Sequence, residues 1–514
     1  MPMIPPTEPG IGPESSITKE YRMHTIRMYI NGQWVESASG EITTIINPAN
    51  GSVAAEATRG TADDVSKAVA AAKQAFTPGS PWRNLTADER AELLNTTADL
   101  IEARAEELAV AETNSMGRVY KETRYDDIYA ASGVFRYAAS LVHELQGTAS
   151  AENGDMLTVT IREPLGVCAV VAPWNYSMGT MAAGMAPALA AGNTVVIKPS
   201  SLTPVSTAMM VQAMEEAGFP AGSVNMVLGS GSEVGSALAQ SEDVAKITFT
   251  GGTATGRDII AKSSTSVKRY AMELGGKSPF IIFDDADLDV AVDRLMFGIF
   301  LSQGQVCIAG SRLLVQDGVY ERVTRMLEER IPRIRIGMPL DEETEFGPMV
   351  SKRHMEHVLE YIEIGKAEGA KVLIGGHRIT KGDFAKGYFI EPTVLVDCNE
   401  HMRVVNEEIF GPVLTVQTFS DEAEAVRLAN STGYGLAGGV FTRDMGRALR
   451  VCADVDTGIM WANTYMDETP GVPVSPHRQS GTTVDGGLDG LKEYTVLKQI
   501  NLKMSPEKSG WFNN

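Results

Sequence analysis

The sequence predicts an α/β protein built on two parallel-sheet layers, and three observations carry that reading. Short strand-like runs alternate with helical segments: GVCAVVAP (166–173), NTVVIK (193–198), VNMVLG (224–229), KITFTG (246–251) and PFIIF (279–283). The alternation resumes after Cys307 with RLLVQD, KVLIGG and VLTVQTF. Runs this uniformly apolar belong to strands covered by helices on both faces. A chain of 514 residues that is 43% hydrophobic is also long enough for more than one buried core. The two layers divide at about Lys277.

In chain order, residues 1 to about 24 are rich in Pro, Gly and Glu and read as a flexible arm. That arm lacks a basic end followed by an apolar stretch, so it is not a secretory signal. YINGQWV (Tyr29 to Val35) places Asn-Gly between apolar runs and predicts a hairpin. NPANGSV (Asn47 to Val53) is a second turn. Val65, Ala68, Val69, Ala72 and Phe76 share one helix face, and Thr61 with Asp64 resembles a capping box. A second amphipathic stretch runs from about Thr86 to Met116, and a third from near Tyr120 to about Leu145. Two segments, DMLTVTIREP (155–164) and EYTVLKQINLK (493–503), alternate like exposed strands. They would pair with each other or with another subunit.

Lys+Arg number 45 and Asp+Glu 65, a net charge of −20. That balance argues against a nucleic-acid or anionic-membrane surface. No apolar run is long enough to span a bilayer. Cys168, Cys307, Cys398 and Cys452 are widely spaced, with no CxxC pair, which suits reduced thiols in a cytoplasmic enzyme. His354 and His357, spaced i, i+3 in a charged helix, read as a solvated face, and no metal is assigned.

Three residues carry candidate chemistry, each with a plainer alternative. Cys307 lies in SQGQVCIAG (302–310), a Gly-flanked turn that would leave a thiolate accessible, although a lone Cys is more often buried and inert. Glu273 lies among Met, Leu and Gly in MELGGKSP (272–279); partial burial would raise its pKa and suit it to activating water, whereas a solvent-facing carboxylate needs no task. Asn175 follows the strand 166–173, where ligands bind in open α/β sheets, and its amide would donate to an oxyanion. It would equally serve as a turn residue. The glycine loops FTGGTATG (249–256) and Gly229 to Gly235 would let a phosphate approach a helix N-terminus, but neither is a GxGxxG fingerprint. Lys198 would meet a ribose or phosphate, or simply be solvated.

Together and in this order, these stretches closely resemble the aldehyde dehydrogenase superfamily across roughly residues 27 to 503. The resemblance rests on APWNYS, ALAAGNTVVIKPS, ITFTGGTATG, MELGGKSP, SQGQVCIAGSR, NEEIFGPVLTV, YGLAGGVFT and GLKEYTVLKQ, and on the separation 307 − 273 = 34. It implies an NAD(P)-dependent, non-acylating enzyme acting on a small-molecule aldehyde. The implied fold has a Rossmann-like nucleotide-binding domain (25–146 and 165–276), an α/β catalytic domain (277–480) and a β oligomerisation region (147–164 and 481–514) forming a homodimer or homotetramer. Cys307 would attack the aldehyde carbon, the Asn175 amide and the Cys307 N–H would hold the oxyanion, and Glu273 would activate the water that hydrolyses the thioester. Lys198 would hold the adenosine ribose and Glu408 the nicotinamide ribose, with Phe410 beside it. The remaining cofactor cleft would comprise Pro173, Trp174, Ser201, Gly231, Gly235, Phe249, Thr250, Gly251, Gly252, Thr255 and Leu274.

Departures from the family pattern sharpen the expectation. Ser201 stands where many NAD-preferring members carry Glu, and a hydroxyl would donate to a 2′-phosphate that a carboxylate would repel, so NADP is favoured over NAD. Gly252 replaces the usual Ser, and PVSPHRQSG (473–481) replaces the common PFGGxKxSG tail. Gly179 and Ala183 are small, so a roomy pocket lined by Tyr176, Gly179, Ala183, Val306, Ile308, Trp461, Tyr465 and Met466 would suit a bulky or aromatic aldehyde. Asp467 and Glu468 would instead attract an aminoaldehyde of the betaine-aldehyde type. A catalytically silent scaffold and an esterase are the rival readings.

Overall fold

The structure is a computed structural model describing residues 25–264, 266–467 and 471–511. The N-terminal arm and Glu468 lie outside the described residues. Two seven-stranded sheets form the body. In the first, Arg269–Glu273, Val244–Thr250, Val167–Val171, Thr194–Lys198 and Val224–Met226 run parallel in that spatial order. Every residue of Val167–Val171 and Thr194–Lys198 is buried, as expected for β-branched strands covered on both faces. The predicted hairpin, Met28–Ile30 with Gln33–Val35, extends this sheet antiparallel through Tyr29 opposite Met226. Asn31 (φ 53°) and Gly32 (φ 76°) form its turn, the left-handed pair that Asn-Gly accommodates.

In the second sheet the order is Lys371–Ile374, Thr393–Val396, Val413–Phe419, Arg312–Gln316, Pro279–Ile282, Ala437–Phe441 and Ile459–Ala462. All neighbours are parallel except the first pair. The chain passes from one sheet to the other between Glu273 and Pro279. The two odd segments do pair with each other: Met156–Pro164 and Thr495–Lys503 form an antiparallel ladder, with Ala149–Asn153 on its other side.

Helix Ala62–Ala75 starts at Thr61, whose backbone N–H donates to Asp64 at 3.0 Å. The expected long second helix is two, Ala87–Ala103 and Ala105–Met116. Arg104 leaves helical geometry (φ −105°, ψ 18°) and ion-pairs with Glu216 on helix Val205–Ala217. The third stretch is interrupted as well: a π-turn at Thr123–Asp127 precedes helix Ile128–Ser140. Arg118 accounts for that widened turn: it is fully buried and draws in both Glu122 and Asp127. No described helix is long and apolar enough to cross a membrane.

Candidate active site

The turn before Cys307 has an unusual backbone. Ser302 (φ 50°), Gln303 (φ 57°) and Gly304 (φ 71°) are successive left-handed residues, and two of them carry side chains. Such residues cost about 1–3 kcal/mol each and persist only where the surroundings fix them. Here the buried Glu122 carboxylate accepts from Ser302 N–H (3.2 Å), and Gln305 Nε2 donates to Ser302 O (3.2 Å). Val350 N–H donates to Gln305 Oε1 (3.0 Å). The turn delivers Cys307 half-buried, while Cys168 is sealed in its strand. Burial pushes the Cys168 thiol up to about 12 and the Cys398 thiol to about 11, and raises Cys452 as well, which keeps all three protonated.

The structure draws Asn175, and the segment that follows Glu273, to this turn. Asn175 is buried and its Nδ2 donates to Gln305 O at 3.0 Å. An amide nitrogen carries two N–H groups, so one remains for an oxyanion. A Cβ on Gly276 would fall 2.6 Å from Cys307 O, so the segment following Glu273 lies against the Cys307 backbone. Burial pushes the Glu273 carboxyl well above the usual range, and the adjacent Asp485 raises it further through charge and a shared hydrogen bond. Asp485 is raised in turn, chiefly by burial. Two neighbouring buried carboxyls hold a proton between them more readily than they ionise together. Asp485 escaped the sequence reading because only tertiary contact brings it to Glu273. Residues 480–482 run against 272–274, with Leu274 N–H donating to Ser480 O (2.8 Å) and Thr482 N–H to Met272 O (3.0 Å).

Several residues expected to hold a dinucleotide keep donors or open space for one. Lys198 is only 4% exposed, which sets aside a solvated lysine; its Nζ donates to Pro199 O (3.1 Å), and burial lowers it to about 8. Two of its three donors therefore remain for a ligand. Helix Thr253–Ser263 begins at Gly252 with no side-chain cap, and a Cβ at Gly252 would meet open space. Its first N–H groups are thus left for an anion. Thr250, Gly251 and Thr255 flank that end, with Phe249 and Leu274 buried beneath. Gly231 is equally open, and the turn Gly231–Gly235 is capped by Ser230, which accepts from Glu233 N–H (3.2 Å). Ser201 lines a small cavity with Thr43, Thr58, Ser200 and Gly229, and none of its lining residues is acidic. Glu408 accepts from Gly276 N–H (3.1 Å), and burial pushes its carboxyl up to about 7. A Cβ at Gly275 would fall 2.0 Å from Glu408 Oε2, so only glycine can provide this seat. Pro173, Trp174 and Phe410 are half-buried at the same cleft edge, with the Trp174 and Phe410 rings 5.2 Å apart.

The pocket expectation needs correcting at Tyr465, Trp461 and Met466, and the histidine expectation at His354 and His357. Tyr465 is fully buried, donates to Ile308 O (2.8 Å) and packs against Gly298 and Gly439, so it is a prop beneath the Cys307 loop rather than a pocket wall. Trp461 and Met466 are buried with it, and Trp461 Nε1 donates to Asp467 O (2.8 Å). Asp467 is ion-paired to Arg294 (3.3 Å), which offsets its charge. His354 and His357 are half-buried in an aromatic stack rather than solvated. Tyr176, Gly179 and Ala183 do follow one another on one helix face, with open space beside Gly179. Val306 is buried and Ile308 half-buried on the nucleophile loop. The Arg118 guanidinium lies 3.9 Å over the Tyr176 ring and is itself paired with Glu122 and Asp127. Among the described residues no group of three or more His, Cys, Asp or Glu side chains is placed to hold a metal.

Comparison with known proteins agrees with this geometry. Residues 34–500 match the model of the aldehyde dehydrogenase family. The betaine aldehyde dehydrogenase of Staphylococcus aureus in complex with NAD+ is 40% identical, with a TM-score of 0.93 covering 95% of this chain and 97% of that one. A double mutant of the same enzyme with NAD+ gives 0.94 at 40% identity over 96% and 100% of the two chains. An apo point mutant gives 0.93 at 40% over 95% and 98%. The chain belongs to the aldehyde dehydrogenase family and is an NAD(P)-dependent aldehyde dehydrogenase.

Proposed function

We propose that the chain oxidises an aldehyde to its carboxylic acid through a thioester on Cys307, taking NAD+ or NADP+. The convergence of Asn175, Gly276 and the Cys307 turn carries this reading. The Cys307 thiolate attacks the aldehyde carbon. The second Asn175 N–H and the Cys307 backbone N–H stabilise the oxyanion. The bound dinucleotide supplies the hydride acceptor, held by Lys198 and Glu408. Glu273 then takes a proton from water, which attacks the thioester and releases the acid and the thiolate. The sum is aldehyde, oxidised dinucleotide and water giving carboxylate, reduced dinucleotide and two protons. The acid-free lining beside Ser201 supports acceptance of the 2′-phosphate of NADP+.

For the substrate, the 40% identity to a betaine aldehyde dehydrogenase supports an aldehyde bearing an ammonium group. The open face at Gly179 and Ala183 favours a second reading, a bulky or aromatic neutral aldehyde. Steady-state kinetics with both dinucleotides over ammonium, aromatic, carboxy and short aliphatic aldehydes decide between them. A kcat/KM at least about tenfold higher for the ammonium aldehyde than for its neutral isostere supports the first reading. A preference for benzaldehyde supports the second, and no reduction of either dinucleotide with any aldehyde would sink the reaction. The reading includes a cytoplasmic homodimer or homotetramer, supported by exposed Leu497, Ile500 and Leu502 on the edge strand Thr495–Lys503.

A further inference from the structure

Helix Lys352–Ala367 carries His354, His357 and Tyr361 at i, i+3 and i+7, one face of the helix. That face lies against the loop Glu407–Phe410, which bears Glu408. At one end of the loop, His354 Nε2 is 2.6 Å from Phe410 O. A carbonyl only accepts, so Nε2 carries the proton. At the other end, the Tyr361 hydroxyl donates to the Glu407 carboxylate, which Arg403 also holds at 2.9 and 3.0 Å. The rings form a continuous column: Trp174 to His354 5.2 Å, His354 to His357 5.9 Å, His357 to Tyr361 4.9 Å. Trp174 also packs edge-on to Phe410 and directly precedes Asn175. Phe410 sits in the left-handed region (φ 57°), a conformation an aromatic residue keeps only when held there. Burial lowers the His354 imidazole to about 4, so the ring is neutral at working pH and the donor at Nε2 is permanent.

The geometry points to this helix face as a clamp that positions the Glu407–Phe410 loop for the dinucleotide, with His354 as the positioning residue on which cofactor affinity depends. The clamp grips the loop on both sides of Glu408 and leaves the carboxylate on its glycine seat. It also joins that loop to Trp174 through the ring contacts. The inference rests on the reading that this cleft holds the dinucleotide.

The test is isothermal titration calorimetry of the full chain with NAD+ and with NADP+, together with the kinetics of both. His354→Phe keeps a ring in the column and removes the donor, and His354→Gln supplies an amide donor in its place. His354→Phe should bind either dinucleotide about tenfold more weakly, the effect of lowering the binding-competent population of the loop to about a tenth. Cofactor KM should rise in proportion while kcat falls by less than threefold, and His354→Gln should recover most of the loss. Tyr361→Phe should weaken binding about twofold, since Arg403 still holds Glu407. Unchanged affinity in His354→Phe, or equal weakness in the Phe and Gln variants, overturns the clamp alone. A wild-type chain that binds neither dinucleotide overturns the cofactor reading and the clamp with it.

Discussion

The two sheets present opposite ends to the common cleft. In the first sheet the candidate groups follow the strands. Trp174 and Asn175 follow Val167–Val171, Lys198 ends Thr194–Lys198, Gly252 follows Val244–Thr250, and Glu273 ends its own strand. In the second sheet they precede the strands. Cys307 lies before Arg312–Gln316, Glu408 and Phe410 before Val413–Phe419, and Gly275 and Gly276 before Pro279–Ile282. Carboxyl ends of parallel strands favour ligand sites because the following helices aim their N-termini there. The amino ends enjoy no such field, and there the chain relies on built turns: three left-handed residues before Cys307 and the left-handed Phe410. One half of the cleft is thus given by topology, and the other is held by specific side-chain contacts such as Glu122 to Ser302 and His354 to Phe410.

Substitutions on each side sharpen this contrast. The largest effect belongs to the second sheet: Cys307→Ala should lower aldehyde-dependent dinucleotide reduction by at least about 10⁴-fold, followed at 340 nm, and a variant with substantial turnover would remove the nucleophile. On the first sheet, Asn175→Ala should cost about 10²–10³ in kcat, since it deletes one oxyanion donor. If kcat holds and only KM changes, Asn175 merely shapes the turn. Asp485→Asn bears on the proton held at the crossing between the sheets. Glu273 acts as a base only when ionised, so the rate rises with pH through its elevated pKa. Removing the Asp485 charge lowers that pKa and should move the acidic limb of the kcat profile to lower pH; a limb that stays in place, or moves up, argues against the pairing. The smallest effect is expected at Ser201→Glu, where repulsion of a 2′-phosphate should shift the NAD+/NADP+ ratio of kcat/KM about tenfold toward NAD+. A constant ratio would detach Ser201 from cofactor choice.

Legibility in the sequence followed the same divide. The parallel strands of the first sheet stood out because a strand buried on both faces reads as an unbroken apolar run, and the Asn-Gly hairpin because its turn chemistry is local. The helix breaks at Arg104 and at Thr123–Asp127 did not stand out, because partners remote in sequence or gathered around one buried guanidinium impose them. Cys307, Glu273 and Asn175 were individually ambiguous, and their grouping came from the order of eight family-like stretches rather than from any one spacing. Tyr465 was misjudged because a tyrosine near a reactive loop suits a pocket wall and a buried prop equally well. Its full burial, its bond to Ile308 O and the three glycines packed against its ring, Gly298, Gly310 and Gly439, distinguish the two. His354 was misjudged for a related reason, as charged neighbours suggested water while the opposing loop supplied an aromatic nest.

The stretch from Glu273 to Pro279 is the direct covalent bridge between the two sheets, and it carries both the carboxylate proposed to activate water and the glycine seat for Glu408. Six residue steps reach at most roughly 20 Å, so the strand ends they join are leashed to that span. One inserted residue there would throw Glu273 and the seat of Glu408 out of alignment together. Hydrolysis and dinucleotide retention would then fail as one event, although neither Cys307 nor Lys198 had been touched.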